Sequence, residues 1–384
     1  MINTLQQRVA NQKYLTQYRV RPIINLDQEN CIQVNGTPCI DFTSNDYLGL
    51  KKHPKIIESL IQSTKKYGFG SGASALVSGY SEAHDETEEC FAKWLGVDQT
   101  ILFNSGYSAN LGIMSALTNR SDIIFSDKLC HASLLDGILL SRAKHLRYQH
   151  NNTEHLQYLA KKNTPNLIVT ESIFSMEGDI APVSSLVNLA KQYRSGLLID
   201  DAHGVGVLGN TGRGSAEYFC LQQHEYTCLV LPLGKAFNAM GAVVAGQSNV
   251  IESILQFSKS YRYTTALPPA ICMGLQASLQ VIQAERWRQK KLKENILFFI
   301  AYASEKGLFL ISNDGTPIKS ILVHDNERVL ALQNFLLSKG FFVAAIRPPT
   351  VPKNGARLRL SINSLHTQTQ IIQVIDHIVS GLKT

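Results

Sequence analysis

Lys235 closes the run Cys228-Leu229-Val230-Leu231-Pro232-Leu233-Gly234-Lys235. A second apolar run, Leu197-Leu198-Ile199-Asp200-Asp201-Ala202-His203-Gly204, closes on acids and a histidine. Both read as short buried strands, so an acid, a histidine and a lysine fall at strand ends. In an open parallel sheet, ligands sit outside the carboxyl ends of the strands. A carboxylate and an amine converging there suit pyridoxal phosphate (PLP). The lysine amine holds the cofactor as a Schiff base, and the aspartate keeps the pyridine nitrogen protonated so that the ring acts as an electron sink.

Other residues stand where such a site needs them. Asn104-Ser105-Gly106-Tyr107-Ser108-Ala109-Asn110 lies between a strand and a helix. Small residues there admit an anion, and the helix start offers N–H groups and a positive dipole end. An ordinary turn has the same composition; beside Lys235, a cofactor phosphate is favoured. His131 follows the strand 122–125 at the same edge, where it caps a helix or stacks on a flat ring. Glu171 and Ser175 follow the strand 166–170, in a turn rich in small and acidic residues. Arg357 and Arg359, two apart on a strand, face one side, and arginine suits bidentate capture of a carboxylate.

Two patterns point elsewhere. Gly204-Val205-Gly206-Val207-Leu208-Gly209 matches the dinucleotide fingerprint in letters, but such a fingerprint opens a helix, and here turn residues follow. Gly234-Lys235 has Ala236 after it and no glycine at 229, so it is no Walker motif.

The elements that must position these groups alternate. The pattern predicts strand 100–104, helix 109–117, strand 122–125, helix 133–143, strand 166–171, helix 183–193 and strand 197–200. That order means right-handed βαβ units in a mostly parallel sheet flanked by helices. Before it, residues 1–44 read as an N-terminal arm: a polar helix, then a hairpin turning at Asn35-Gly36. A large domain spans 45–268. From 269 to 384 a long helical stretch toward 306 precedes strand 318–323, helix 328–337, strands 342–346 and 358–362, and helix 370–382: a smaller C-terminal α/β domain.

The 384 residues exceed one simple core. Hydrophobic content of 44% and charged content of 17% describe a globular chain. No apolar run reaches the roughly 18 residues of a membrane span, and the first residues carry no signal-peptide core. Seven cysteines without a Cys-x-x-Cys pair argue for reduced thiols in the cytoplasm and against a zinc site. The net charge is +7. Its densest stretch, Arg286-Trp287-Arg288-Gln289-Lys290-Lys291-Leu292-Lys293, reads first as a solvated helix face. Its second reading is a landing patch for coenzyme A or an acyl carrier protein. No zinc-finger or RNA-binding signature accompanies it, which excludes nucleic acid as a favoured partner.

Taken together, Ser44-Asn45-Asp46-Tyr47-Leu48-Gly49-Leu50, His131-Ala132-Ser133, Asp200-Asp201-Ala202-His203-Gly204 and Gly234-Lys235 resemble the α-oxoamine synthases, a PLP-dependent fold type I family. The resemblance covers nearly the whole chain. Val77-Ser78-Gly79-Tyr80-Ser81-Glu82-Ala83-His84 and Arg347-Pro348-Pro349-Thr350-Val351-Pro352 resemble the branch that joins L-alanine to a pimeloyl thioester in biotin synthesis. Glycine-using branches tend to carry a Gly-Thr pair in the first of these segments.

The resemblance implies roles. Lys235 forms the Schiff base and acts as general base. Asp200 pairs with the pyridine nitrogen, and His203 and Ser175 contact the phenolic oxygen. His131 stacks on the ring, and Ser105, Gly106 and Tyr107 hold the phosphate. Arg359 binds the amino-acid carboxylate, Glu171 matches an acid near the substrate, and Asn45 with Arg19 or Arg21 lines the substrate mouth. It also implies a homodimer with the active site at the subunit interface, and Thr264 and Thr265 reaching the neighbouring subunit's phosphate. The chain departs from the family at Pro232, where a threonine or serine hydroxyl is usual and proline offers neither hydroxyl nor N–H. Three readings stay open: the alanine-using synthase, a glycine-using sibling such as a 2-amino-3-ketobutyrate ligase, and, from another class, a nicotinamide-dependent dehydrogenase.

Overall fold

The computed structural model describes residues 1–26 and 30–383. They form two compact units. The larger comprises Leu50–Phe174 and Ile180–Gln289, the smaller Met1–Gly49, Ser175–Asp179 and Lys290–Thr384.

The larger unit is built on a seven-stranded sheet in the order Gln99–Phe103, Ala242–Gly246, Cys228–Pro232, Gly196–Asp200, Leu167–Glu171, Ile123–Asp127, Lys144–Tyr148. The five strands from Cys228–Pro232 to Lys144–Tyr148 run parallel. Ala242–Gly246 runs antiparallel to both of its neighbours. The inner strands are almost continuous apolar runs with every residue of Leu167–Glu171 and Ala242–Gly246 buried, the pattern of strands covered on both faces. Helices Gly106–Leu117 and Ala132–Ser141 pack on each other, and Ile113, Met114, Leu134 and Ile138 join strand residues Val169, Leu198 and Val230 in one core. The predicted strands and helices of this unit appear within a few residues of their expected bounds. Several elements were not anticipated: helices Pro54–Tyr67, Glu82–Leu95, Thr153–Ala160 and Ser248–Phe257, the buried antiparallel strand Ala242–Gly246, and strand Lys144–Tyr148. Lys144–Tyr148 is at the sheet edge, where charged residues keep a strand from pairing further, so its sequence, Lys-His-Leu-Arg-Tyr, lacks an apolar run.

The long helical stretch after Pro268 is two helices, Pro269–Ala284 and Trp287–Glu305. At the break, Glu285 bonds both His53 Nε2 (3.0 Å) and Arg288 Nε (2.8 Å). Pro269–Ala284 belongs to the larger unit because it packs on helices Pro54–Tyr67 and Glu82–Leu95. Of the basic stretch, Arg288 is buried and lies over the Trp287 ring, whereas Arg286 and Lys293 are exposed.

The smaller unit holds two sheets. Ile24–Leu26, Cys31–Val34, Thr37–Asp41 and Phe341–Phe342 form one. Its hairpin turns at Asn35 and Gly36, both at positive φ (50° and 86°), the geometry of a two-residue type I′ turn. Ile318–His324, Ala356–Ser361 and Ala344–Ile346 form the other. The single strand expected over 342–346 is thus divided between two sheets, with Val343 buried at the crossing. Helices Asn326–Ser338 and Gln368–Lys383 pack together beside them.

Candidate active site

Strand register gathers the chemistry of the larger unit at one sheet edge. Glu171 lies opposite Asp200, and Asp200 opposite Val230. Ala242 lies opposite both Pro232 and Phe103, so Lys235, Asp200, Glu171 and the segment 104–107 all leave the sheet at that edge.

Asp200 is 3% exposed. Its Oδ2 accepts from Asn110 Nδ2 (2.7 Å) and its Oδ1 from the Ala202 N–H (3.0 Å). Both oxygens are met by donors. Lys235 is half-buried in the turn after Cys228–Pro232; its carbonyl accepts from the Asn238 N–H (2.8 Å). His131 caps helix Ala132–Ser141: its Nδ1 accepts from the Ser133 N–H (3.3 Å), and its own N–H donates to Glu171 Oε1 (2.6 Å). His131 is exposed on one side; desolvation on the other lowers its pKa, the charge of Asp200 opposes that shift, and Lys235 adds to it. His203 is buried in the turn just after Asp200.

Ser105 is the N-cap of helix Gly106–Leu117. Its Oγ accepts from the Ser108 N–H (3.1 Å), and its own N–H donates to Ser108 Oγ (3.2 Å). That reciprocal box leaves the N–H groups of Gly106 and Tyr107 without a protein acceptor among the described residues. A β-carbon on Gly106 would fall 2.5 Å from Pro232 Cγ. Only glycine lets the helix start come this close to the strand end. The Tyr107 hydroxyl bonds Asp136, so this residue offers its backbone to an anion, not its ring. Asn104 Nδ2 donates to Thr264 Oγ1 (3.3 Å) and to the Thr265 carbonyl (2.6 Å), which places both threonines beside the same loop of their own chain. Two uncapped N–H groups, a glycine-lined approach, a buried carboxylate and a lysine fit a phosphorylated pyridine aldehyde.

The remaining predicted residues belong to the smaller unit. Arg359 is 6% exposed, and its guanidinium donates to the Ser175 carbonyl (2.7 Å), Ser361 Oγ (3.0 Å) and Asn45 Oδ1 (3.3 Å). All three acceptors are neutral. Arg357, by contrast, is paired with Glu177 (2.8 Å). Tyr47 also donates to Asn45 Oδ1 (3.1 Å), and burial raises its phenol to about 12. Arg19 donates to Thr350 Oγ1 (2.6 Å), and Arg21 is exposed.

Residues 204–214, the fingerprint look-alike, form consecutive turns, and the next helix, Ser215–Tyr218, is one turn long. No helix N-terminus stands there for a pyrophosphate. Sequence reasoning gave Asn110 and Ser133 no role. An asparagine in the apolar run Ala109-Asn110-Leu111-Gly112-Ile113 was the available signal, since a buried amide needs partners.

Residues 37–378 match the family model of aminotransferase class I and II. An 8-amino-7-oxononanoate synthase of Nitrosococcus oceani is 42% identical over 95% of this chain and 97% of its own. One of Cellvibrio japonicus is 40% identical over 97% of this chain and 94% of its own. Among solved structures, the 8-amino-7-oxononanoate synthase of Francisella tularensis is 35% identical with a TM-score of 0.81, covering 90% of this chain and 98% of that one. A serine palmitoyltransferase from S. paucimobilis, solved with PLP and myriocin bound, is 26% identical with a TM-score of 0.93, covering 99% and 98%.

Proposed function

Because the chain belongs to the aminotransferase class I and II family and, within it, to the 8-amino-7-oxononanoate synthases, we propose that it condenses L-alanine with a pimeloyl thioester, of coenzyme A or of an acyl carrier protein, releasing thiol and carbon dioxide. PLP is its cofactor; when bound, it supplies the electron sink for negative charge at the alanine Cα. The observation that carries the reading is the single sheet edge that Asp200, Lys235 and the Ser105–Gly106 helix start share.

Lys235 would tether the cofactor through its amine and would take the alanine Cα proton on Nζ. Asp200, bonded on both oxygens, would keep the pyridine nitrogen protonated. The Gly106 and Tyr107 N–H groups and Ser105 hold the phosphate, helped by the helix dipole. His131 stacks on the ring, and His203 and Ser175 orient the phenolic oxygen. Arg359, whose described partners are all neutral, binds the alanine carboxylate; Arg357 already has Glu177. Glu171, Asn45 and Arg19 or Arg21 shape the substrate side. Thr264 and Thr265 serve the neighbouring subunit's phosphate in a homodimer. The seven cysteines, none in a disulfide, suit the reducing cytoplasm. No helix among the described residues is long and apolar enough to cross a membrane.

Thiol release from purified protein tests the reading, with L-alanine or glycine set against pimeloyl and acetyl thioesters, the pimeloyl group on each carrier. L-Alanine with a pimeloyl thioester should be the preferred pair. Preference for glycine with acetyl thioester would move the chain to the glycine-using branch. A purified protein without a visible band that borohydride bleaches would remove PLP from the reading.

A further inference from the structure

Two buried side chains join the acid of the site to its histidine. Asn110, on helix Gly106–Leu117, uses both N–H bonds of its amide: one to Asp200 Oδ2 (2.7 Å), the other to Ser133 Oγ (2.9 Å). Ser133 lies 2.8 Å from His131 Nδ1. Asn110 and Ser133 are each 1% exposed.

Proton bookkeeping gives the line one direction. The Asp200 oxygens both receive donors, so the group facing Oδ2 must be the amide nitrogen; the reversed amide would set Oδ1 against a carboxylate. Ser133 Oγ accepts from that nitrogen, which leaves its own proton for His131 Nδ1. The backbone N–H of Ser133 is aimed at the same Nδ1, and a backbone N–H only donates. Nδ1 therefore accepts, and the imidazole proton sits on Nε2. Asn110 Oδ1 is buried with no partner among the described residues. An unmet acceptor of this kind is costly, and it is tolerated here in an amide whose two donors both serve the site.

We propose that Asn110 is a positioning residue which, through Ser133, ties the Asp200 carboxylate to a neutral, Nε2–H tautomer of His131. Asn110 acts through Asp200 and Ser133, its two partners. The charged groups that reach His131 are Asp200, Lys235 and Asp136 by field and Glu171 through the backbone N–H. The neutral tautomer lets His131 lie over a cationic pyridine without repulsion and turns an N–H donor away from Asp200. The part played by Asp200 toward a pyridine nitrogen rests on the PLP reading; the tautomer does not.

The test uses the full-length chain, ¹⁵N-labelled at histidine, stripped of cofactor and then titrated with PLP. His131 is assigned by loss of its signals in His131→Gln. In the parent, Nδ1 should give the unprotonated signal and Nε2 the protonated one. Ser133→Ala and Asn110→Asp should shift His131 toward mixed tautomers and raise its pKa, while Ser133→Thr, which keeps the hydroxyl, should restore the parent pattern. Asn110→Asp sets a second carboxylate against Asp200 and should weaken PLP binding about ten- to hundredfold, the worth of one hydrogen bond to a charged group. If Asn110→Asp does not fold, Ser133→Ala decides alone. A parent with Nδ1 protonated, or an unchanged tautomer in both variants, would overturn the relay. A parent with the expected tautomer that binds no PLP would leave the relay standing and remove the cofactor reading instead.

Discussion

Pro232 sets the sharpest question at the scale of single residues. The family resemblance puts a hydroxyl there, three residues before Lys235. The chain has instead a ring packed against Gly106, with 2.5 Å between its Cγ and the place a β-carbon would take. A hydrogen bond to a charged group is worth about 1.5–3 kcal/mol, or roughly one to two decades of affinity. Pro232→Thr should therefore tighten PLP binding in a titration of cofactor-free protein. Equal or weaker binding would mean that the Gly106 and Tyr107 N–H groups already hold the phosphate fully and that the side chain at 232 is only a wall. Lys235→Ala makes the companion prediction: loss of the visible band that borohydride bleaches, and of essentially all thiol release. Normal turnover in that variant would sink the assignment of Lys235. The strand-end places of Lys235, Asp200 and His131 were legible because each follows an apolar run, where a parallel sheet presents its ligands. Asn110 was not: its partner Asp200 is 90 positions away, and no local pattern records a contact of that separation.

Elements meet at the same place. Strand Cys228–Pro232 and helix Gly106–Leu117 touch through Pro232 and Gly106, so the strand end fixes how the helix start faces an anion. Gly106→Ala would put a methyl 2.5 Å from Pro232 Cγ and 2.8 Å from its Cβ. The strand end and helix start must then part, at an overpacking cost of about 1–3 kcal/mol. PLP affinity should fall with it. Pro232→Ala removes the nearer carbon and leaves the farther one, so the double variant should recover part of the loss. A coupling of about 1 kcal/mol in the affinity cycle is expected; additivity within about 0.5 kcal/mol would show that the two ends move independently. Periodicity gave most of the buried parallel strands of this unit, but missed the buried antiparallel strand Ala242–Gly246 and failed at the border. Edge strand Lys144–Tyr148 carries three basic side chains, because one flank has no partner strand and must discourage one. The segment 341–346 reads as one apolar run, yet it serves two sheets. Alternation of burial cannot mark a change of sheet when the residue at the crossing is itself buried.

Across the whole molecule, burial of charge sets how stability responds to pH. In the larger unit, burial raises Asp201 and Glu88 to about 7 each. Asp201 Oδ2 accepts from the Ser215 N–H (2.7 Å), and Glu88 accepts from the Leu102 N–H (2.7 Å) and the Tyr80 hydroxyl (2.8 Å). Unfolded carboxyls titrate near about 4. Between about pH 4 and 7 the folded unit thus holds more protons than the unfolded chain. Stability from these two groups is full below about 4 and is lost as pH rises through 7. In the smaller unit the sign reverses: burial lowers Lys319 to about 8, so its unfolded form, titrating near about 10.4, holds the extra proton. Below 8 both forms are charged and the cost is constant; from about 8 to 10 stability rises with pH. Asp201→Asn with Glu88→Gln keeps the acceptor oxygens and removes the titration. One proton is worth at most about 1.4 kcal/mol per pH unit, so the parent should lose on the order of 1–2 kcal/mol per group between pH 5.5 and 7.5. Urea unfolding midpoints at the two pH values should therefore differ less in the double variant than in the parent. Lys319→Met should leave that difference untouched and flatten the rise between pH 8 and 10. An equal fall from pH 5.5 to 7.5 in parent and double variant would place the titrating groups elsewhere.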